Sequence, residues 1–341
     1  MAGMGEGWRS GQTENGRDHP LSEDARKGYV TMKRWTMGIM LAALLVALAV
    51  WLWWNHGPGR KLYMVDVPIT GSPADCVGGV RMAVIGDFGN AGPPEADVAA
   101  LVHGWQVAYV LTVGDNNYSY GRASTIDKNI GQYYQRYIYP YVGTYGPGAA
   151  DENRFFPALG NHDWRLGNVQ PHLDYFVLPG NERYYDVVLG PVHLFVVDSD
   201  EHEPDGYTAD SAQAQWLQTR MAASTAPWKL VTLHHAPYSS AATHGSDPLR
   251  QWPFAAWGAT AVLAGHDHTY ERIHVDGIVY FVNGLGGRWR IDAFRGTAVP
   301  GSAVRYNQDY GALLLTTTET CLNFTFFNRA GALIDSYTVR P

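Results

Sequence analysis

The feature that most constrains this chain is a series of short apolar runs, each broken at its end by a polar cluster. Val80–Ile85 runs into Gly-Asp-Phe-Gly, and Val107–Val113 into Gly-Asp-Asn-Asn-Tyr. Phe155–Leu159 is followed by Gly-Asn-His-Asp-Trp, Leu230–Leu233 by His-His, and Ala259–Leu263 by Ala-Gly-His-Asp-His. Val192–Val197 ends in Asp198, and Ile278–Val282 in Asn-Gly-Leu-Gly-Gly. Continuous apolar runs of this length read as strands buried on both faces. Helices are expected between them, from Pro93 to Trp105, with proline in the first turn, and from about Ala123 to Tyr139. Strands alternating with helices predict an α/β fold with a parallel sheet. The segments Ala312–Asn328 and Ala332–Val339 read as hairpin strands that close the chain. In open α/β sheets ligands bind beyond the carboxyl ends of the strands. The clusters, distant in sequence, are therefore expected to meet at one site.

Those strand ends carry Asp87, Asp115, Tyr118, Asn161, His162, His234, His235, His266 and His268, all of them metal-ligand or acid–base types. One such residue means little in a chain with 13 histidines, and a Gly-Asp turn is ordinary chemistry. Five such clusters in equivalent positions call for a shared purpose. Turn chemistry accounts for the Gly, Asp and Asn of 114–117 but not for Tyr118. A carboxylate with both oxygens free can bridge two cations. Two cations roughly 3.5–4 Å apart can clamp the attacking and leaving oxygens of an in-line displacement.

In order and spacing, "GDFG", "GDNNY", "GNHD", "VTLHH" and "GHDH" resemble the five signature blocks of the metallophosphoesterases. The tyrosine narrows the resemblance to the purple acid phosphatases of the small, single-domain type, over about residues 80–341. The resemblance implies a four-layer α/β/β/α sandwich. It implies one metal held by Asp87, Tyr118 and His268, a second held by Asn161, His234 and His266, and Asp115 bridging both. It makes His162 and His244 the outer residues that orient phosphate and protonate the leaving group. It leaves His235 without a certain role. Most metallophosphoesterases carry a histidine two residues after the first aspartate; here that position is Gly89, and Tyr118 can make up the ligand. A free phenol ionises near ~10, so a hard trivalent ion, Fe(III), is expected in the Tyr118 site. A divalent Fe, Zn or Mn suits the other. The implied reaction is hydrolysis of phosphomonoesters by a metal-bound hydroxide. A phosphodiesterase acting on nucleotides or lipid head groups is one alternative, and a membrane-tethered binding protein without catalysis another. A metallo-β-lactamase-type hydrolase is disfavoured, because no HxHxDH run is present.

Residues 36–54, "TMGIMLAALLVALAVWLWW", carry no charge and approach the roughly 20 residues that span a bilayer. Arg26, Lys27, Lys33 and Arg34 precede them, which favours a cytoplasmic N-terminus and a body outside. The expected organisation is a disordered cytoplasmic tail at 1–35, a single-pass signal anchor at 36–54, a linker at 55–78 and an extracytoplasmic catalytic domain at 79–341. Cys76 and Cys321 read equally well as a disulfide or as two free buried thiols. Asn117-Tyr-Ser and Asn323-Phe-Thr match glycosylation acceptors, the first of them inside the proposed site. The formal net charge of −7, with no single-sign block, gives no reason to expect nucleic-acid binding.

Overall fold

The computed structural model describes Cys76 and residues 78–341. The tail and the anchor at 36–54 lie outside the described residues, as does the linker apart from Cys76 and Gly78. Among the described residues no helix is long and apolar enough to cross a membrane.

Among the described residues, thirteen strands form two mixed sheets. The first has the order β13-β12-β11-β1-β2-β3. In it β1 (Val80–Ile85), β2 (Tyr109–Thr112) and β3 (Phe155–Phe156) run parallel. The C-terminal meander of β11 (Gly311–Thr318), β12 (Cys321–Asn328) and β13 (Leu333–Val339) adds antiparallel against β1. The second has the order β10-β8-β9-β7-β6-β5-β4. Its parallel centre is β5 (Val192–Val196), β6 (Trp228–Thr232), β7 (Ala261–Ala264) and β9 (Ile278–Asn283). The edge strands β4 (Tyr185–Leu189) and β10 (Ser302–Tyr306), and β8 (Tyr270–Val275) between β10 and β9, pair antiparallel.

The apolar runs do what their composition requires. In the second sheet Leu194, Val196, Leu230, Leu263 and Phe281 face the first sheet in one core. Their neighbours Phe195, Val197, Val231, Val262 and Val282 face outward into a second core, shared with the helix Ala212–Ala223. Alternate side chains thus leave on opposite faces, and both faces are covered. The helix Pro93–Gly104 packs on the outer side of the first sheet through Val98, Ala99 and Val102. Aromatic pairs join the sheets: Phe281 lies 4.6 Å from Phe324 and Tyr270 stacks 4.0 Å from Phe326. Helix, sheet, sheet and helix follow one another as the four-layer reading expects.

The stretch expected as one helix, Ala123–Tyr139, is broken. It holds a π-helical turn at Asp127–Gly131 and ends in a 3₁₀ turn at Gln135–Tyr137. The cause lies in Asp127. Its carboxylate accepts from the Tyr141 and Tyr175 hydroxyls and from the amide and hydroxyl of Thr144, tying the returning loop to the helix. Burial opposes its charge, but these bonds hold its pKa below the usual range.

Register places the polar clusters level with one another. Ile85 pairs with Thr112, so Asp87 and Asp115 emerge together. Thr232 pairs with both Val196 and Leu263, which brings Asp198, His234 and His266 out side by side.

Cys76 and Cys321 are bonded across 245 residues. The bond ties the entry to β1 onto the start of β12. The potential acceptor sites are not available: Asn323 is buried and donates to Ser336, Tyr337 and Thr338, while Asn117 is buried among Arg122, Thr125 and Asn129. Replacing both cysteines by serine is expected to lower the urea midpoint, by about 2–5 kcal/mol of stability. An unchanged midpoint would show that the crosslink contributes nothing to the fold.

Candidate metal centre

Three of the strand-end residues sit in left-handed backbone conformations: Asp87 (φ 52°), Asp115 (φ 54°) and His266 (φ 72°). Such conformations cost about 1–3 kcal/mol each and persist where the surroundings fix them. Here each residue follows a glycine at the end of a strand. The turn reverses the side chain so that it points between the two sheets instead of along its own.

The result is two groups of donor atoms. In the first, the Tyr118 hydroxyl lies 3.1 Å from Asp87 Oδ1 and 3.3 Å from His268 Nε2, and His268 Nε2 lies 3.4 Å from Asp87 Oδ1. In the second, His234 Nε2 lies 3.1 Å from Asn161 Oδ1, 3.1 Å from His266 Nδ1 and 3.4 Å from Asp115 Oδ1. Asp115 belongs to both neighbourhoods: single ligand atoms of Asp87, Asp115 and His234 all fall within 4.8 Å of one another. Oxygen and imidazole nitrogen atoms at these mutual spacings are what a cation with bonds near ~2.0–2.2 Å requires. All seven residues named as metal ligands are thus brought together, and the donor set fits two cations.

Outer contacts fix the ligand atoms. His234 donates from Nδ1 to the Val113 carbonyl (2.8 Å), and His268 from Nδ1 to the Arg290 carbonyl (3.0 Å). Both then present the lone pair of Nε2 inward. Asp87 Oδ2 accepts from the His266 amide, and Asp115 Oδ1 from the His162 amide. Asp163 accepts from the Gly160 and Asn116 amides and from the Asn116 side chain, clamping the second and third loops together.

Burial and neighbouring charges set the protonation of the site's residues. Burial, then Asp115 and Asp87, push the Tyr118 phenol well above its ordinary pKa. Burial opposes the charge of Asp87, but its bond with His268 and the charge on His234 hold its carboxyl low. Burial also disfavours a proton on His234 and His268, yet the carboxylates beside them raise both. His266 is pushed well down by burial and by the neighbouring imidazoles. A bound cation would replace the protons that the carboxylates now attract.

Gly89 explains the ligand exchange inferred from sequence. A Cβ at this position would run into the Asn116 carbonyl, while the Gly89 carbonyl accepts from the Tyr118 amide (2.8 Å). The loop that brings in Tyr118 therefore occupies the space that a side chain at 89 would need.

The outer histidines also gather here. The His162 ring lies 4.4 Å from that of Tyr118; its Nδ1 is bonded to the Ser119 carbonyl, and its Nε2 stands 3.9 Å from Asp115. His244 packs 3.8 Å from the His266 ring, and His235 packs on the same ring at 4.5 Å while bonded to Ser199. Sequence reasoning missed Asp267, which accepts from the amides of His244 and Gly245 and from the Ser239 hydroxyl. It lies inside the "GHDH" block, but only the fold reveals that its carboxylate holds the loop of His244. Arg288 was also missed; its guanidinium lies 4.2 Å from the Tyr118 ring. The glycines before it are packed closely against other loops. Gly284 lies against Asp267 and Asp87, and Gly286 against Gly86, where bulk would separate the loops.

Comparison with known proteins agrees with this geometry. Residues 80–270 match the family model described as calcineurin-like phosphoesterase. Purple acid phosphatase 17 of Arabidopsis thaliana is 24% identical over 299 residues, 78% of this chain and 86% of that protein. Tartrate-resistant acid phosphatase type 5 of Rattus norvegicus is 24% identical over 277 residues, 68% of this chain and 80% of that protein. Among solved structures, purple acid phosphatase PPD1 from yellow lupin (Lupinus luteus) seeds superposes with a TM-score of 0.61 at 17% identity. That match covers 76% of this chain and 53% of the lupin chain, so this chain spans about half its length. GAP50 of Plasmodium superposes with a TM-score of 0.59 at 16% identity, covering 76% of this chain and 88% of that one.

Two tests follow from the loops. Gly89→Ala should displace the Tyr118 loop and lower the metal content of the purified protein; a full complement of metal would contradict the packing described. Asp163 is pushed up to about 7 by burial and then by the charge of Asp115. A carboxyl raised on folding stabilises the protein below its unfolded value and loses that contribution as pH rises toward its folded value. Metal-free protein should therefore lose melting temperature between about pH 4 and pH 7 more steeply than its Asp163→Asn variant. Identical slopes would contradict that assignment.

Proposed function

The chain belongs to the calcineurin-like phosphoesterase family, is similar to purple acid phosphatases, and from that premise we propose that it is a dinuclear metal-dependent phosphatase acting on phosphomonoesters. The observation that supports this best is the position of Asp115 between two complete donor sets. Asp87, Tyr118 and His268 would hold one ion, and Asn161, His234 and His266 the other. The pair, when bound, would neutralise phosphoryl oxygens and acidify a water. A phenol surrounded by carboxylates favours a hard trivalent ion in its site, so Fe(III) is assigned there. Two imidazoles and an amide oxygen suit a divalent Fe, Zn or Mn.

The chain's own groups do the rest. His162, held through Nδ1 by Ser119, offers Nε2 to a phosphoryl oxygen beside Asp115. His244 stands against His266 on the other flank, in place to give a proton to the leaving oxygen. Asp267 fixes its loop. Residues 36–54 are read as a signal anchor that leaves the domain outside the cytoplasm. The Cys76–Cys321 bond supports this placement, because such bonds persist in oxidising compartments.

Asp115→Ala should abolish metal binding and turnover of p-nitrophenyl phosphate, and His162→Ala should lower kcat about 10²–10⁴-fold. Tyr118→Phe should bleach any visible phenolate-to-iron band. Undiminished colour in that variant would refute the role of Tyr118, and faster turnover of bis-p-nitrophenyl phosphate than of the monoester would favour a diesterase.

A further inference from the structure

Two adjacent histidines follow β6, and only one of them joins a donor set. The rings of His234 and His235 have centroids 5.2 Å apart, and the His235 ring lies 4.5 Å from that of His266. A cation held by His234 and His266 would therefore stand beside a further imidazole. The partners of the two rings differ in kind. His234 Nδ1 faces the Val113 carbonyl at 2.8 Å. His235 Nδ1 faces the Ser199 hydroxyl at 2.9 Å. Ser199 lies just beyond β5 and is 1% exposed.

The Ser199 hydroxyl has two further partners. It accepts from the backbone amides of His234 at 3.2 Å and His235 at 3.0 Å. A hydroxyl carries one proton and two lone pairs. The amides take both lone pairs, so the proton goes to His235 Nδ1. That nitrogen is then an acceptor, and the ring carries its own hydrogen on Nε2. At His234 the logic is reversed. A carbonyl only accepts, so Nδ1 carries the hydrogen and Nε2 keeps its lone pair. That Nε2 is the atom that meets Asn161 and His266. His235 has no lone pair left to offer a cation. Arg250 holds the serine in place, donating from Nε and Nη2 to the Ser199 carbonyl at 3.0 and 2.7 Å. It is itself fixed by an ion pair with Asp247 (2.9 Å) and by the Tyr207 ring at 4.3 Å. With carbonyl and hydroxyl both tied, Ser199 cannot turn to accept from Nδ1 without leaving a buried amide unpaired, which is costly.

We infer that Ser199 is the positioning residue that decides which of the two adjacent histidines binds metal. By taking both amides it orients the His234–His235 backbone, and by donating to Nδ1 it keeps His235 in the tautomer that cannot ligate. The inference rests on the two-cation reading of the donor sets. It gives His235 a role there: a fixed N–H donor beside the second set that takes no share of the ion. With His235 added, that ion would hold three imidazoles, and the Asn161 amide oxygen would have to compete for its place.

The test reads protons, not turnover. In the metal-free full chain with isotope-labelled histidine nitrogens, NMR should show His235 with a bare Nδ1 and a protonated Nε2, its signals identified by their loss in His235→Phe. In the Co(II)-loaded protein each ligated histidine contributes one paramagnetically shifted, exchangeable N–H signal. The wild type should show three, from His234, His266 and His268. Ser199→Ala should add a fourth, which disappears when His235→Phe is combined with it. Ser199→Thr keeps the hydroxyl and should retain the three. No shifted signal in the wild type would overturn the two-cation reading alone, the tautomer still deciding whether Ser199 fixes His235. A wild-type His235 protonated at Nδ1, or a shifted set that Ser199→Ala leaves unchanged, would overturn the role of Ser199.

Discussion

The structure depends on the placement of one carboxylate. Asp115 stands at the end of β2 with its side chain turned out of its own sheet, where donors from the first sheet and donors from the second both reach it. Burying a carboxylate and several imidazoles together is costly unless the charges are matched. Burial disfavours a proton on His234 and His268, and the carboxylates beside them raise both. Asp87, Asp115 and His234 are spaced as a candidate metal site that would match them. The strained backbone at Asp87, Asp115 and His266 and the close-packed glycines serve the same end. They let several loops approach to hydrogen-bond distance while side chains fill the centre.

The fold supplies the rigidity this requires. Two sheets share an aromatic core, and their parallel strands end level with one another. Most ligands sit one to four residues beyond a strand whose register is fixed by buried pairs on both sides. Asn161 and His162 are farther from β3, and the Asp163 clamp makes up for that distance.

Much of this was legible in the sequence because apolar runs and polar clusters obey different physics at adjacent positions. The burial of Val80–Ile85 and the exit of Asp87 can both be read from a single line of text. Tyr118 was legible for a negative reason: turn chemistry left it unexplained. What the sequence hid were contacts set by tertiary packing. Asp127 breaks a helix through partners as distant as Tyr175. The antiparallel strands β4, β8 and β10 lack a long continuous apolar run and do not stand out in the sequence. Arg288 and Asp267 take their meaning from neighbours more than twenty residues away, and the glycines at 284 and 286 from loops they pack against. The choice between a disulfide and two thiols also needed three dimensions, since nothing local brings Cys76 to Cys321.

Anomalous scattering from crystals of the metal-loaded domain addresses the arrangement most directly. Two peaks about 3.5–4 Å apart, one on each side of the Asp115 carboxylate and the first within bonding distance of the Tyr118 oxygen, are the predicted result. A single peak, or a pair that leaves Asp115 uncoordinated, would contradict it.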